Sequence, residues 1–132
     1  MIAAIDDDRN FTSDLGNMLK MSISDLQYKS FSSANDCIDF VKDNNVSLVF
    51  LNIDIESGLC GLQMIHHQLR KLDRHIDIIL TGSNQSLDCD TAIWSIQSRC
   101  SDYLCKPLTK EKLLSSLKNI WFNPINENEL LI

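Results

Sequence analysis

Two apolar runs without alternation, Ile2-Ala3-Ala4-Ile5 and Leu48-Val49-Phe50-Leu51, each stop at a polar side chain, Asp6 and Asn52 respectively. A short, continuously apolar run suits a strand covered on both faces, because a half-exposed strand would alternate. Such strands run parallel to their neighbours, and parallel neighbours need crossover connections long enough to hold a helix. The residues between the runs supply those helices.

Phe11, Leu15, Met18 and Leu19 recur at helical spacing and predict a first helix ending near Met21, followed by a strand over Leu26 to Phe31. Ser33 and Asp36 form a capping pair ahead of the stripe Ala34, Cys37, Ile38 and Val41, and Asp43-Asn44-Asn45 closes that helix. After the Leu48–Leu51 strand, Glu56 to Gly61 reads as a loop, and Leu62, Ile65, Leu69 and Leu72 define a third helix. Ile76 to Leu80 predicts a fourth strand ending at Thr81-Gly82-Ser83. Asn84 to Asp90 is polar and loop-like, and Ala92, Ile93 and Ile96 mark a short fourth helix. Tyr103-Leu104-Cys105 is a fifth strand ending at Lys106-Pro107. Thr109 caps a last helix carrying Leu113, Leu114, Leu117, Ile120 and Trp121, which Phe122-Asn123-Pro124 terminates.

Strand and helix thus alternate five times, which implies an α/β fold: a doubly wound, five-stranded parallel sheet with helices on both faces. A length of 132 residues, 44% hydrophobic and 23% charged, fits one globular domain over 1–122, with 123–132 as a C-terminal tail or linker, polar but ending in Leu130-Leu131-Ile132. That tail is expected to lead to an output domain beyond the sequence.

A formal net charge of −6 lacks the cationic excess that neutralises a phosphate backbone, so direct nucleic-acid binding by this segment is not expected. No apolar run has the length to cross a bilayer and the start lacks a basic segment with a long apolar stretch, so a cytoplasmic location is expected, with no membrane partner. Cys37, Cys60, Cys89, Cys100 and Cys105 are odd in number with no CxxC pair, which favours reduced thiols over zinc or a redox centre. His66 and His67 point about 100° apart on a helix and are assigned to a solvated surface, with His75 in a loop.

In an open parallel sheet, ligands bind beyond the carboxyl ends of the strands. Asp6, Asp7, Asn52, Thr81 and Lys106 therefore converge there. Hard oxygen donors such as Asp6 and Asp7 suit Mg²⁺, and a hydroxyl and an ammonium opposite the cation suit the other oxygens of a phosphoryl group. Taken alone, Asp6-Asp7-Asp8 would more simply serve the first helix through its dipole. Thr81 alone would be a structural hydroxyl and Lys106 a solvated charge. Their ordered recurrence at strand ends favours phosphoryl chemistry.

In this ordered set the chain resembles the CheY-like response-regulator receiver domains of two-component phosphorelay signalling, over essentially residues 1 to 121. The resemblance implies strand order 2-1-3-4-5, Mg²⁺ positioned by Asp6 and Asp7, and phosphate transfer from a histidine kinase to the position of Asn52. It implies catalytic roles for Thr81 and Lys106 in gripping the phosphoryl group, and a switch made of Thr81 and the mobile aromatic Tyr103. Asp54, two residues beyond the acceptor position, would lend a metal ligand, and the cis bond that receivers carry falls at Lys106-Pro107. A homodimer through the fourth helix, fifth strand and fifth helix is implied by the same resemblance. The stretch Phe50 to Gly61, with its longer loop, and Asp102 to Pro107 also look like receivers joined to LytTR-type DNA-binding domains.

Asn52 departs from the family pattern. An amide is a poor nucleophile and cannot form an acyl phosphate, so ordinary phosphorylation is expected to fail and the Mg²⁺ site to be weakened. The expected function is a receiver that signals through protein contacts, with a histidine kinase or other signalling protein as partner. The alternative is a phosphorylation-independent pseudo-receiver, an interaction module with a degenerate pocket. Asp54 would be a replacement acceptor only if the strand continued past Asn52 and buried it. An enzyme is not expected: three aspartates after the first strand would repel a flavin phosphate, and no activated nucleophile for a hydrolase is evident.

Overall fold

The computed structural model describes residues 1–55, 59–72, 74–83 and 89–121. Strands β1 (Ile2–Ile5), β2 (Tyr28–Phe31), β3 (Leu48–Asn52), β4 (Asp77–Gly82) and β5 (Asp102–Cys105) alternate with helices α1 (Arg9–Ser22), α2 (Ala34–Asp43), α3 (Leu59–Arg70), α4 (Cys89–Gln97) and α5 (Lys110–Trp121). The strands form one parallel sheet in the order β2-β1-β3-β4-β5, as expected.

The unbroken apolar runs are explained by cover on both faces. Ala3, Ile5, Val49 and Leu51 point into a core with Cys37 and Val41 of α2 and Leu62, Ile65 and Leu69 of α3. Ile2, Ala4, Leu48 and Phe50 point the other way, against Leu15 and Leu19 of α1 and Leu113 and Leu117 of α5. Side chains alternate along a strand, so in β1 and β3, buried on both faces throughout, no position is left for a polar residue before the strand ends. That constraint places the polar set in one row.

Capping follows the sequence. Asp8 accepts from the Phe11 amide at the start of α1, Ser33 Oγ from the Asp36 amide at α2, and Thr109 Oγ1 from the Lys112 amide at α5. The peptide bond before Pro107 is cis, as expected.

Several boundaries and faces differ from expectation. α3 begins at Leu59, so the expected loop over Glu56 to Gly61 gives its last three residues to the helix, and 56–58 lie outside the described residues. Gly61 is buried there, a packing role that a glycine beside a loop does not advertise. β2 begins at Tyr28 rather than Leu26, and β4 runs on through Thr81 to Gly82. In α4 the inner residue is Thr91, while Ile93 and Ile96 are 54% and 79% exposed, so the expected apolar stripe is not the buried one. His66 is also not solvated: it lies half-buried edge-on to Trp94, ring centroids 5.2 Å apart, and burial lowers its pKa, with the Arg70 charge adding to the effect. His67 and His75 are exposed as expected. The expected loop over 84–88 and the ending at Phe122 with its tail lie outside the described residues. No described helix is long and apolar enough to cross a membrane.

Candidate functional site

Parallel register sets the site. Ile5 is level with Leu51 and Asn52 with Thr81, while Gly82 is level with Cys105, so Asp6, Asn52, Thr81 and Lys106 all emerge at one end of adjacent strands. Strands β1, β3, β4 and β5 each contribute one residue at or just past their carboxyl ends.

Asp6 is the hub. Its side chain is 1% exposed, and Oδ2 accepts from the Lys106 ammonium at 2.7 Å. Oδ1 accepts from the Asn52 Nδ2 amide at 3.1 Å and from the backbone amide of Asp8 at 2.9 Å. A carboxylate removed from water needs such donors, and an ammonium at this distance is the strongest of them. Lys106 is further placed over the Phe11 ring, 4.3 Å from its centroid, where the ring face favours a cation. Phe11 reads in sequence as one more member of an apolar helix stripe, so this contact depends on how α1 lies against β5.

The three consecutive aspartates divide the work. Asp6 is buried in the site, Asp7 is exposed at its rim, and Asp8 caps α1. The helix-capping reading therefore holds for one of them only.

Asn52 is 5% exposed and ends its strand. Its Nδ2 faces Asp6, and its Oδ1 accepts from the Asp54 amide at 3.0 Å. β3 stops at Asn52 and the chain turns at Ile53 and Asp54, leaving Asp54 exposed beyond the strand. The condition under which Asp54 would replace Asn52, a strand continued past it, is not met.

Thr81 is 1% exposed and its Oγ1 has no hydrogen-bond partner. A buried hydroxyl without a partner among the described residues costs stability. Tyr103 donates its hydroxyl to the Ser83 carbonyl at 2.8 Å, and burial pushes its pKa up to about 12. Gly82 stands between them: a Cβ there would lie 2.8 Å from Ile53 Cγ1 and 3.1 Å from the Tyr103 hydroxyl. Gly82 thus lies beside Thr81 in the chain and beside the Tyr103 hydroxyl in space. Sequence pointed to Thr81 and Tyr103 but not to Gly82, whose role depends on the tertiary approach of Ile53.

The arrangement offers buried and rim carboxylates, an amide, a hydroxyl in want of a partner and a cation, all at strand ends. Such a set could receive the oxygens of a small anion, while among the described residues no group of three or more His, Cys, Asp or Glu side chains is gathered closely enough to hold a metal ion. Residues 2–118 match the response regulator receiver domain family. The chain belongs to that family.

Solved receivers share the fold at low identity. A CheY-like receiver domain protein from Methanospirillum hungatei superposes with a TM-score of 0.77 at 15% identity, covering 96% of each chain. A two-component response regulator from Clostridium difficile gives 0.77 at 21% identity over 92% of this chain and 95% of that one. A receiver domain protein from Clostridium thermocellum gives 0.73 at 21% identity over 99% and 98%. No curated protein sequence matches significantly. Receiver domains are signalling modules of two-component systems and bind Mg²⁺ at their acidic pocket.

Proposed function

We propose that this receiver signals through its surfaces without being phosphorylated at Asn52. The observation that carries the reading is the Asn52 amide itself, buried at the acceptor position and held by Asp6 and the Asp54 amide. A carboxylate there would bring a second negative charge and a nucleophilic oxygen. The amide brings a donor to Asp6 and an oxygen already engaged with backbone. Lys106, the cation suited to an incoming phosphoryl group, is paired with Asp6.

Asp6, Asp7 and Asp54 would hold Mg²⁺, which supplies charge neutralisation for a phosphoryl oxygen. Asp7 and Asp54 lie exposed at the rim, suited to a cation that keeps most of its water. With one carboxylate fewer than an aspartate-bearing pocket, and with Asp6 already neutralised by Lys106, affinity for the ion is reduced. Thr81 would hold an oxyanion through its partnerless hydroxyl.

Communication then runs through the face of α4, β5 and α5, where Ile93 and Ile96 are exposed on α4. A partner or second copy covering that face would shift the population of two arrangements of Thr81 and Tyr103, in place of a covalent phosphate. The partner is a histidine kinase or other signalling protein in the cytoplasm. The reading as an interaction module with a degenerate pocket is distinguished by ligand response. Amide NMR spectra are recorded with Mg²⁺ and beryllofluoride, a phosphoryl mimic, on the protein and on Asn52→Asp. Changes at Thr81 and Tyr103 in the variant alone support the proposal, and silence in both supports the degenerate module.

A further inference from the structure

Helix α4 is held to the rest of the molecule by little of its own surface. Among its described side chains Thr91 alone is fully buried, Ile93 and Ile96 face outward, and Trp94 is the one large side chain packed against the core. Trp94 rests on His66 of α3, the two rings edge to face with their centroids 5.2 Å apart. The seat of the helix is therefore a titratable ring.

His66 is half-buried, and its Nε2 is buried with no hydrogen-bond partner among the described residues. A neutral imidazole tolerates that position, because one of its ring nitrogens carries no proton; an imidazolium carries a proton on both and leaves a charge out of water. Among the described residues, the charged and titratable groups that bear on the ring are Arg70 and His67 of its own helix. Arg70 is tied down by donating to the Ile76 carbonyl, so it stays beside the ring. From α4 and its connection to β5 come Trp94, the Ser98 backbone and Cys100, whose thiol lies 3.7 Å from Ser98 Oγ and has its pKa raised by burial. The Ser98 backbone is the neighbour that favours the charged ring, but it gives Nε2 no hydrogen bond, and burial with the Arg70 charge outweighs it. Ser98 Oγ in turn donates to the Trp94 carbonyl at 2.7 Å, so the ring faces α4 at two linked places.

We infer that His66 is a proton-operated latch for α4: the neutral ring seats Trp94 and holds the helix against α3, and the protonated ring loosens it together with the outward-facing Ile93 and Ile96. A proton binds more weakly to His66 under the seated helix than under the loosened one, so by linkage acid favours the loosened arrangement. The stabilisation of the seated helix is complete above the ordinary histidine value of about 6.5 and is lost as pH falls below it toward the lower value of the seated ring. The inference holds whether or not Asn52 accepts phosphate.

The test follows the His66 ring protons, the Trp94 indole and the amide-exchange protection of α4 by NMR as the pH is lowered from about 7.5 to about 5. His66 is expected to titrate below the exposed His67 and His75, and the Trp94 indole to move with it. Protection in α4 should fall by up to about tenfold for each pH unit that separates His66 from its ordinary value, while α1 keeps its protection. His66→Phe, which keeps an aromatic edge and takes no proton, should abolish the response of α4, and His67→Gln should leave it in place. The titration of the parent decides the matter on its own if His66→Phe does not fold. The inference is overturned by a Trp94 and an α4 that stay silent while His66 titrates, by a change in α4 that follows His67 or His75, by an α4 that gains protection in acid, or by a response that survives in folded His66→Phe.

Discussion

Lys106 and Asp6, one hundred residues apart in sequence, close on each other at 2.7 Å with the carboxylate buried and the ammonium mostly so. The pair is held by the register of β1, β3, β4 and β5, and it leaves the Asn52 amide as a second donor to the same carboxylate. Most of what the site can and cannot do follows from that one carboxylate having its donors already in place.

Removing it should be costly. In Asp6→Ala the ammonium of Lys106, the amide of Asn52 and the backbone amide of Asp8 lose their acceptor together. A loss of about 2–4 kcal/mol is expected, measured by urea denaturation at pH 7.

Restoring the carboxylate at the acceptor position should also destabilise. Asn52→Asp places a second negative charge beside buried Asp6 and removes the amide donor, so stability at pH 7 is expected to fall by about 1–3 kcal/mol. Mg²⁺ should recover much of that loss in the variant and do little for the parent, seen as the shift of the melting temperature with added metal.

Thr81→Val replaces a buried hydroxyl that has no partner with a methyl group of similar shape. Stability should be unchanged or raised, by up to about 1 kcal/mol, because an unpaired buried polar group is removed without a cavity. If the Thr81 hydroxyl takes an oxyanion, as proposed, the same change should weaken any phosphoryl-mimic response of Asn52→Asp.

Both tyrosines of the chain should resist ionisation. Burial raises Tyr28, with the Asp6 charge adding to it, and burial takes Tyr103 to about 12. The folded pKa exceeds the unfolded one, so the stabilisation is complete below about pH 10 and is lost as pH rises from there through about 12. Ultraviolet titration should show little tyrosinate before the protein unfolds. Ionisation of both side chains near pH 10 in the folded protein would contradict the burial of the two phenol groups.

Gly82→Ala tests the close packing of Gly82 against Ile53 and Tyr103. The new methyl meets Ile53, fixed in the core, and then the Tyr103 hydroxyl. A loss of about 1–3 kcal/mol in urea denaturation is expected, with Tyr103 displaced from the Ser83 carbonyl and titrating at lower pH than in the parent.

The ends of β1 and β3 are legible in sequence because a strand buried on both faces admits no polar residue until it stops, which marks Asp6 and Asn52 by position, with Thr81 and Lys106 following the apolar runs of β4 and β5. Register then brought them together without further information. Features set by contacts between helices were less legible. His66 is sheltered by Trp94 of α4, a neighbour that helical spacing within α3 cannot reveal, and the apolar residues Ile93 and Ile96 face outward although their spacing suggests a core stripe. Leu59 to Gly61 join α3 although the glycines in and before this stretch suggest a turn. Phe11 beneath Lys106 and Gly82 beside Ile53 owe their roles to approaches between elements distant in sequence.

The central claim is that the pocket is a receiver site disabled at one side chain. Its direct test is the intact mass of the protein and of Asn52→Asp after incubation with Mg²⁺ and a small phosphodonor. The expected result is one added phosphoryl group on the variant and none on the parent. A phosphoryl group on the parent would place the acceptor at Asp54 or another acid, and an unmodified variant would mean that the pocket no longer works as a receiver site; either result contradicts the claim.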